Sequence, residues 1–595
     1  MRTYTSPGGV TVPPEVNVVQ QLVKRAGEAP DVPALAFPDG DGFTTVTTRE
    51  LLDIVVELAA GLVTLGIGPG ERVALHSGTR VEFTYFDYAI WAAGAAATTI
   101  YETSSAEQVQ WIISDSGAAV LITENEATLA AYDEVKDHLP GCRNVYVIDD
   151  GALETISAMA TDESRAEVQR RIAAISHDDL ATLVYTSGTT GNPKGCVLTH
   201  YNFAWGVMNI ESSFTDLLSE ENRTLMFLPL AHIFARAMQS VSISTGTTMY
   251  YSAGIANVPN ELPVVKPTWV FSVPRVFEKI YNGAKAKADA EGKGAVFDRA
   301  AASAIAYSEA LERGRITIGA KLVHAVFDRL VYSRIRAGFG GEINYAISGG
   351  APLGARLGHF FRGAGIVVLE GYGLTETTAT ATVNRPDAIK VGTVGRPVPG
   401  LSVRIANDGE VLIKGGVVFS GYWNNDDASA DVLDDDGWFA SGDIGVLDND
   451  GFLSITGRKK EIIVTAAGKN VAPAVLEDRM RSHPLISQVI VIGDARPFIA
   501  ALVALDEEAL ERWAAANDKA DGDVHRFLSD EDLLGEVQAA VDEANKAVSH
   551  AEAIKEFRLL TRDLSVAGGE LTPTLKVRRS VVFANYADLI DDIYR

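Results

Sequence analysis

The sequence predicts an α/β protein with a large N-terminal domain of βαβ-type sheets, a small β-barrel-like subdomain and a small α+β C-terminal domain. Short apolar runs rich in β-branched residues alternate with helical segments from residue 71 to residue 123. From Gly392 onward, Gly, Pro and Asp separate short β-rich runs, and the pattern changes again after Gly457. Alternation of this kind is typical of parallel sheets, whereas short strands between turn residues favour a small barrel or distorted sheet.

The first half of the chain contains most of the predicted strand–helix alternation. Thr48–Leu65 is predicted as an amphipathic helix that begins at a Thr-Arg-Glu capping signal. The predicted strands are Glu71–Ser77, Ala95–Ile100, Ala118–Thr123, Leu225–Leu228 and Ile343–Ser348, and the predicted helices between the first three are Val81–Ala93 and Ser105–Ser116. No internal repeat of solenoid length interrupts this pattern.

The second half predicts an outer helical region, a β-rich subdomain and a separate C-terminal domain. Glu291–Phe339 is a long helical stretch of mixed charge, which indicates an outer face. Residues 392–457 form the predicted β-rich subdomain, with strands at Ser402–Ile405 and Glu410–Lys414. We therefore predict an N-terminal domain over 1–457 and a C-terminal domain over 458–595, within the usual range of domain size.

Composition excludes several classes of function. The chain has 52 Lys and Arg against 78 Asp and Glu, a net charge of −26, which argues against nucleic-acid binding and against electrostatic docking on anionic lipid. Two cysteines, Cys142 and Cys196, are too few for a disulfide framework and fit a reducing, cytoplasmic environment. The N-terminal residues lack the apolar core of a signal peptide. The most apolar stretch, residues 89–100, is shorter than the roughly 18–20 residues of a membrane span, so any membrane contact is expected to be peripheral.

The most informative stretch is the polar loop Tyr185–Gly195, which reads YTSGTTGNPKG. It lies between two apolar runs, Leu180–Val184 and Cys196–His200, that are predicted as buried strands. Glycines let the backbone approach a ligand with its N–H groups turned inward, while hydroxyls add donors and lysine adds positive charge. The loop therefore predicts a polyphosphate site.

Three other interpretations compete for this region. A Walker A loop needs Ser or Thr directly after the lysine and a following helix, but Lys194 lies between Pro193 and Gly195. A flexible Gly/Ser/Thr connector is the plainer alternative. A catalytic thiol at Cys196 is disfavoured relative to a buried strand residue, because no His-based constellation surrounds it in sequence.

This loop resembles the phosphate loop of the adenylate-forming superfamily, which includes acyl-CoA synthetases, aryl-CoA ligases, luciferases and peptide-synthetase adenylation domains. The resemblance implies that Thr186 and Lys194 contact ATP together with the loop residues Ser187, Gly188, Thr189, Thr190 and Gly191. It also implies a C-terminal domain that is mobile, with ATP, Mg²⁺ and coenzyme A as cofactor and substrates.

Further segments resemble other signatures of the same superfamily. Leu369–Thr377, which reads LEGYGLTET, resembles the second signature. The resemblance makes Tyr372 the residue that stacks on adenine and makes Glu376, with Thr186, the pair of Mg²⁺ ligands, because a carboxylate is a hard oxygen donor. It also implies nucleotide contacts from Gly373 and Thr375, and from Gly349, Gly350 and Ala351 in the strand-end turn SGGAP.

The β-rich subdomain contains a candidate ribose site. Trp438–Gly445 resembles the motif in which an aspartate, here Asp443, receives both ribose hydroxyls; a carboxylate suits a vicinal diol. Ser441 stands where the family usually has Thr and keeps the hydroxyl. The acidic runs 434–436 and 448–451 lack the spacing of a calcium loop, so they are interpreted as turns.

The C-terminal region resembles the family's moving parts. In Gly457–Glu461, Arg458 would contact the ribose and Lys460 would be the hinge. Gly468, in Thr465–Pro473, would line the pantetheine tunnel of the thioester-forming state, where small residues suit a slender ligand. Lys576, in Gly568–Arg579, would enter the site for adenylation. The plainer interpretation of both basic segments is a solvated turn.

Two further segments, around His232 and at Val273–Lys279 (VPRVFEK), indicate which group within the superfamily the chain resembles. His232, in LPLAHIFAR, is either a core histidine or a residue near the acyl carboxylate. The order of all segments most resembles long-chain fatty acyl-CoA synthetases. We therefore predict ATP-dependent activation of a fatty acid, with Lys576, Glu376, Thr186 and Lys194 as catalytic residues. An acyl-AMP ligase for carrier proteins, another carboxylic acid–CoA ligase, a non-catalytic adenylate-binding protein and a P-loop NTPase are the alternatives.

Overall fold

The computed structural model describes residues 2–40, 42–186, 192–215, 217–519, 524–572 and 575–595. Strands and helices are numbered in chain order. The described helices before the β-rich subdomain are α1 (Val18–Glu28), α2 (Thr48–Thr64), α3 (Val81–Ala92), α4 (Ala106–Ser116), α5 (Glu126–Asp133), α6 (Ala152–Ser157), α7 (Asp162–Ala174), α8 (His200–Ser213), α9 (Ile233–Thr245), α10 (Val258–Val265), α11 (Pro274–Ala290), α12 (Gly294–Glu312), α13 (Ile318–Phe327), α14 (Ser333–Gly338) and α15 (Ala355–Gly363). The later ones are α16 (Asp426–Ala430), α17 (Pro473–Met480), α18 (Glu507–Ala516), α19 (Val524–Phe527), α20 (Glu531–Asn545), α21 (Arg579–Asn585) and α22 (Ala587–Ile593).

A six-stranded sheet carries both flanks of the polar loop. Its spatial order is β7 (Asn144–Val147), β6 (Val120–Thr123), β4 (Arg72–His76), β5 (Ala96–Ile100), β8 (Leu180–Thr186) and β9 (Lys194–Thr199). All neighbours are parallel except β8 and β9, which are antiparallel. The predicted βαβ alternation is confirmed, because the apolar runs are buried strands and Ser105 caps α4 with its side chain.

Three further sheets complete the region before residue 458. One contains β10 (Arg223–Met226), β11 (Thr248–Tyr251), β2 (Pro33–Asp39) and β3 (Gly42–Thr47). A second contains β12 (Trp269–Ser272), β13 (Tyr345–Ser348), β14 (Val367–Tyr372), β15 (Thr382–Val383) and β16 (Arg396–Pro397). The third is the β-rich subdomain, with β1 (Arg2–Thr5), β17 (Ser402–Ile405), β18 (Glu410–Lys414), β19 (Phe439–Leu447) and β20 (Leu453–Arg458).

The C-terminal region has its own sheets and its own apolar clusters. A two-stranded sheet joins β21 (Ile463–Val464) to β22 (Asn470–Val471), and a three-stranded sheet orders β23 (Ile486–Ile492), β24 (Ile499–Leu505) and β25 (Ile554–Leu559). Two buried clusters contain only residues from Ile463 onward, whereas the largest cluster ends at Leu453. Separate clusters are what two folding units require, although the predicted boundary at residues 457 and 458 stays a prediction.

Several local predictions need correction. His200 does not end a strand: β9 stops at Thr199, whose side chain caps α8, and His200 begins that helix. Tyr185, Thr186, Lys194 and Gly195 belong to strands, so the loop is shorter than predicted. The predicted strand at Leu225–Leu228 ends at Met226, within β10. The helical region 291–339 is interrupted between α12 and α13, and a π-helical turn (Asp328–Tyr332) joins α13 to α14.

Within the described ranges, no helix combines the length and apolar character that a membrane crossing requires.

Candidate active site

A cavity of about 2880 Å³ is lined by strand ends of the N-terminal sheets, by the β-rich subdomain and by the C-terminal region. Ligand pockets for one small molecule have volumes of about 300–1,000 Å³, so this space exceeds what a single small ligand needs. Its lining contains many of the predicted residues: Thr186, Lys194, His232, Gly349, Gly350, Ala351, Tyr372, Gly373, Thr375, Glu376, Asp443, Arg458, Lys460 and Lys576. Residues separated by up to 390 positions in sequence thus face one space.

Two groups of predicted residues are not among the described residues that line the cavity. Ser187, Gly188, Thr189, Thr190 and Gly191 lie outside the described residues. Gly468 lies in the turn between β21 and β22, where its N–H donates to the carbonyl of Thr465 at 2.8 Å, and it is not among the described residues that line the cavity. Its role in a thioester-forming arrangement stays a prediction.

The flanks of the polar loop are fixed at the edge of the six-stranded sheet. Thr186 at the end of β8 pairs directly with Lys194 at the start of β9, and the Trp111 indole donates to the carbonyl of Pro193 at 2.8 Å. The Nζ atom of Lys194 lies 4.9 Å from the centre of the Tyr422 ring, a favourable cation–π position. The lysine charge is therefore oriented toward the cavity before any anion arrives.

Glu376 lies close to these flanks. The Tyr422 hydroxyl donates to Glu376 Oε1 at 2.8 Å, and the side chains of Thr186 and Glu376 both interact with the Cys196 thiol. Burial raises the pKa of Cys196 well above its ordinary value, and the Glu376 carboxylate raises it further. Cys196 is a buried residue of β9, as predicted, and its thiol stays protonated at neutral pH.

Glu376 and Thr186 offer two oxygen donors. This set suits Mg²⁺, which completes its shell with water and phosphate, better than a metal ion whose ligands all come from the protein. Among the described residues, no group of three or more His, Cys, Asp or Glu side chains could hold a metal ion. Mg²⁺ usually takes one or two carboxylates and completes its shell with water and substrate phosphates. One carboxylate and one hydroxyl, the latter on a flank of the predicted phosphate loop, match that requirement.

Asp443 lies at the centre of a second polar group on β19. Its Oδ2 accepts from the Tyr372 hydroxyl at 2.7 Å, and its Oδ1 lies 2.8 Å from Nε of Arg458. The Ser441 hydroxyl donates to the carbonyl of Val411 at 2.7 Å and accepts from the Asp443 N–H at 3.1 Å. Ser441 thus fixes the backbone that presents Asp443. A carboxylate has about four acceptor positions, so both oxygens can accept a further hydroxyl.

Tyr372 and its neighbours form a wall of the cavity. Tyr372 ends β14, where burial and the Asp443 carboxylate raise the pKa of the phenol well above its ordinary value, so it acts as a neutral donor. At Gly373 a Cβ atom would lie 1.8 Å from the carbonyl oxygen of Ala379, so a side chain cannot be accommodated. Gly350 has a φ of +84°, which favours glycine in the turn after β13.

His232 caps a helix and also faces the cavity, while its position near an acyl carboxylate stays a prediction. Its Nδ1 accepts from the N–H of Phe234 at 3.1 Å, which caps α9, and the ring also lines the cavity. Burial lowers the pKa of His232 to about 3, and the positive charge of Lys576 contributes. A neutral ring that accepts through Nδ1 carries its proton on Nε2. His232 is therefore a neutral donor and not a cation.

Lys576 reaches the cavity from the C-terminal region. Its N–H donates to the Thr572 hydroxyl at 3.0 Å, and its carbonyl accepts from the Thr572 N–H at 2.8 Å. Its side chain remains accessible because it projects into the cavity, yet its charge interacts with Arg458, Asp443, Glu376 and Glu461. Surrounding protein and the Arg458 charge lower the pKa of Lys576, while the three carboxylates oppose that shift.

Sequence reasoning missed the residues that hold these groups in place. Arg579, three positions after Lys576, forms ion pairs with Glu477 at 2.6 Å and Glu461 at 3.4 Å. These pairs anchor the chain next to Lys576. Tyr422 contacts both Lys194 and Glu376. The aromatic pair Tyr422-Trp423 shows no periodicity or motif spacing that would have identified it.

Comparison with known proteins identifies the family. The profile described as "AMP-binding enzyme" matches residues 22–423, and that described as "AMP-binding enzyme C-terminal domain" matches residues 460–595. The chain belongs to the AMP-binding enzyme family. The first match alone covers more than half of its length.

Full-length relatives of this AMP-binding enzyme are found in bacteria and animals. It is 48% identical to long-chain-fatty-acid–CoA ligase FadD15 of Mycobacterium bovis, over 100% of both chains. It is 30% identical to long-chain-fatty-acid–CoA ligase ACSBG1 of Mus musculus, over 97% of this chain and 85% of that protein.

Solved structures share the fold of this AMP-binding enzyme. The anthranilate CoA ligase AuaEII in complex with anthranoyl-AMP has a TM-score of 0.74 at 20% identity and covers 96% of this chain and 98% of its own. A fatty acyl CoA synthetase of Mycobacterium tuberculosis has a TM-score of 0.63 at 24% identity and covers 96% of this chain and 99% of its own.

Proposed function

We propose that this AMP-binding enzyme activates a long-chain fatty acid with ATP and transfers the acyl group to coenzyme A. The observation that carries the proposal is the convergence of Thr186, Glu376, Asp443 and Lys576 on one cavity. A fatty acid also needs an apolar path, and the same cavity is bordered by Ile210, Phe214, Ile233, Phe234 and Met238. The names of the full-length relatives support the same substrate class.

The first step forms an acyl-adenylate. A fatty acid carboxylate oxygen attacks the α-phosphorus of ATP, a new P–O bond forms, and the bond to the β-phosphate oxygen breaks to release pyrophosphate. Negative charge accumulates on the phosphate oxygens, so cations positioned there lower the barrier. In this chain Lys194 faces the leaving phosphates, Lys576 faces the reacting centre, and His232 donates from Nε2 toward the attacking carboxylate. Glu376 and Thr186 would hold Mg²⁺, which supplies charge neutralisation on phosphate oxygens.

Binding of the nucleotide depends on fixed polar groups. Asp443 accepts the ribose hydroxyls beside Arg458, and the turn from Gly349 to Ala351 with Tyr372 encloses the base. Asp443 is already paired with Tyr372 and Arg458, so little reorganisation of these three side chains opposes binding.

The second step forms the thioester. The thiolate of coenzyme A attacks the acyl carbonyl, the C–S bond forms, and AMP leaves as the C–O bond to its phosphate breaks. In the proposed scheme the C-terminal region turns about Lys460, which withdraws Lys576 and brings Gly468 to the tunnel. Lys460 is exposed and lies two residues after the end of β20, ahead of the C-terminal clusters, as a hinge requires.

A pyrophosphate-release assay with butyrate, octanoate, palmitate and oleate tests the function. We expect ATP- and Mg²⁺-dependent pyrophosphate release with the long-chain acids, and acyl-CoA as product when free coenzyme A is present. An acyl-adenylate that reacts only with a phosphopantetheinylated carrier protein would favour the carrier-protein ligase. Absence of ATP–pyrophosphate exchange with every acid would contradict both.

The lowered pKa of Lys576 predicts a pH dependence of the first step. The ammonium form of Lys576 is the active one. The rate of adenylation is therefore highest below this pKa and falls as pH rises through it. The fall is expected below the ordinary lysine value of 10.5. ATP–pyrophosphate exchange measured against pH gives this limb. The Lys576→Arg variant should shift the limb to higher pH, because guanidinium stays charged. An unchanged limb would assign it to another group.

The contact between α11 and the C-terminal region predicts a selective effect on adenylation. Arg275 on α11 donates to Asp506 Oδ2 at 2.8 Å, and both side chains are about four-fifths shielded from solvent. Arg275→Gln removes the ion pair with Asp506. This pair stabilises the domain arrangement in which Lys576 lines the cavity. We expect adenylation to slow about fivefold, since a partly exposed ion pair contributes about 1 kcal/mol. Thioester formation from preformed acyl-adenylate should change less. Lys279→Gln, one turn later on the exposed side of α11, is the control.

A further inference from the structure

Helix α13 presents apolar side chains to solvent. None of the residues of this helix is buried. The exposed fractions are 80% for Ile318, 64% for Leu322, 58% for Val326 and 49% for Val323, and Leu330 in the adjoining π-helical turn is 51% exposed. We call these five residues the α13 apolar surface. Within the described ranges, seven of the twelve exposed large apolar residues fall between residues 296 and 330.

Their spacing places them along one stripe. Ile318, Leu322, Val326 and Leu330 succeed each other at intervals of four, and Val323 lies beside Leu322, so they share one side of the helix. Scattered exposed apolar residues need no explanation, but a contiguous apolar stripe of this kind marks an interaction surface. The sequence predicted only a mixed-charge outer face here.

Basic residues surround this apolar stripe. Residues 311–340 contain six cations, Arg313, Arg315, Lys321, Arg329, Arg334 and Arg336, against two acids, Glu312 and Asp328, although the whole chain has a net charge of −26. Arg336 pairs with Asp328 at 2.7 Å. Arg315, Lys321 and Arg329 have no ion pair within 4.0 Å among the described residues, so their charges face solvent.

We propose that the α13 apolar surface docks on an anionic lipid bilayer, with α13 lying in the plane of the interface. An amphipathic helix whose apolar face is bordered by Lys and Arg binds in this way, because apolar burial and attraction to anionic headgroups act together. The acidity of the remaining surface does not prevent it. At physiological ionic strength, charges more than ~8 Å away are largely screened. The local excess of cations therefore determines the electrostatic interaction of this surface with the bilayer.

The charge pattern disfavours a second copy of the chain as the occupant. A two-fold interface brings the same patch together from both subunits, which would set Arg315, Lys321 and Arg329 of one copy near those of the other. An anionic bilayer offers the complementary charge and an apolar layer for the stripe. The inference rests on the proposed function only in the reason for docking: a fatty acid partitions into bilayers, so an enzyme at the bilayer surface has access to its substrate.

Vesicle co-sedimentation of the full chain tests this proposal. Vesicles of phosphatidylcholine are compared with vesicles of seven parts phosphatidylcholine to three parts phosphatidylglycerol, at low and at high salt. We expect binding to the anionic vesicles that weakens with salt. Leu322→Glu/Val326→Glu should lower the partition coefficient about tenfold or more, because two apolar anchors are replaced by anions. Lys321→Gln/Arg329→Gln should lower it about tenfold or more, since each cation near an anionic leaflet contributes about fivefold.

Val446→Glu is the matched control, because Val446 is 59% exposed on β19 and lies outside the α13 surface. It should bind vesicles as the unchanged chain does. Circular dichroism reports folding, and pyrophosphate release from palmitate supplied on albumin without vesicles reports the proposed reaction; both should be equal in all these proteins. Failure of the unchanged chain to bind anionic vesicles, or undiminished binding by both double variants, would overturn the proposal. So would a dimer in solution that Leu322→Glu/Val326→Glu separates without any vesicle binding, which would assign the surface to a second copy.

Discussion

Replacement of Lys576 by alanine is expected to lower the rate of acyl-adenylate formation by ~10³-fold or more. Lys576 is a cation of the C-terminal region whose charge interacts with Glu376 and Asp443 in the cavity that all three line. A cation placed in trans on the transferring phosphoryl group accelerates other phosphoryl-transfer enzymes by ~10³–10⁵-fold. The Arg579–Glu477 ion pair anchors the chain next to Lys576, so truncation of the Lys576 side chain should leave the backbone in place. ATP–pyrophosphate exchange with palmitate measures the effect.

The second half-reaction separates a positional role from a general defect. Supplied with preformed acyl-adenylate and coenzyme A, the Lys576→Ala protein should form thioester at nearly the rate of the unchanged enzyme. Lys555→Ala, a surface lysine of β25 in the same region, should affect neither half-reaction. Equal losses in both half-reactions would contradict the two-arrangement scheme, because Lys576 would then act in both.

Local sequence predicted the segments that carry the site, because their signals are short-range. The apolar run before Thr186 is a buried strand, and β8 continues two residues beyond that run, to Thr186. Strands at Ser402–Ile405 and Glu410–Lys414 match the structure in both bounds, since each is a short β-rich run set off by a change in composition. The convergence of these segments came from the family resemblance and not from periodicity.

Contacts between distant segments could not be predicted from local patterns. Arg2–Thr5 pairs with β17 some 400 residues later and completes the β-rich sheet, although four residues alone give no strand signal. Tyr422 can join Lys194 to Glu376 because its segment of the β-rich subdomain lies beside β9, through the Cys196–Tyr422 bridge. The exposed side of α13 was also missed, because periodicity marks an apolar face without saying whether anything covers it.

Replacement of Glu376 by glutamine is expected to lower adenylation by roughly 10²–10³-fold at ordinary Mg²⁺ concentration. Glutamine keeps the shape and can still accept from Tyr422, but it removes the negative charge that favours a divalent cation beside the phosphates. Electrostatic stabilisation by such a metal is worth several kcal/mol, which corresponds to the expected range. Because the loss is one of metal affinity, excess Mg²⁺ or Mn²⁺ should restore part of the rate.

Tyr422→Phe is the matched control for this substitution. It removes the hydroxyl that donates to Glu376 Oε1 and retains the ring beneath Lys194, so both charges remain. Loss of one such hydrogen bond costs about 1 kcal/mol, or about fivefold in rate, and the Mg²⁺ dependence should hardly change. Titration of ATP–pyrophosphate exchange with Mg²⁺ distinguishes the two variants. If Glu376→Gln lowered the rate by the same factor at every Mg²⁺ concentration, Glu376 would orient the nucleotide through its hydrogen bonds, and the assignment of the metal to Glu376 and Thr186 would be wrong.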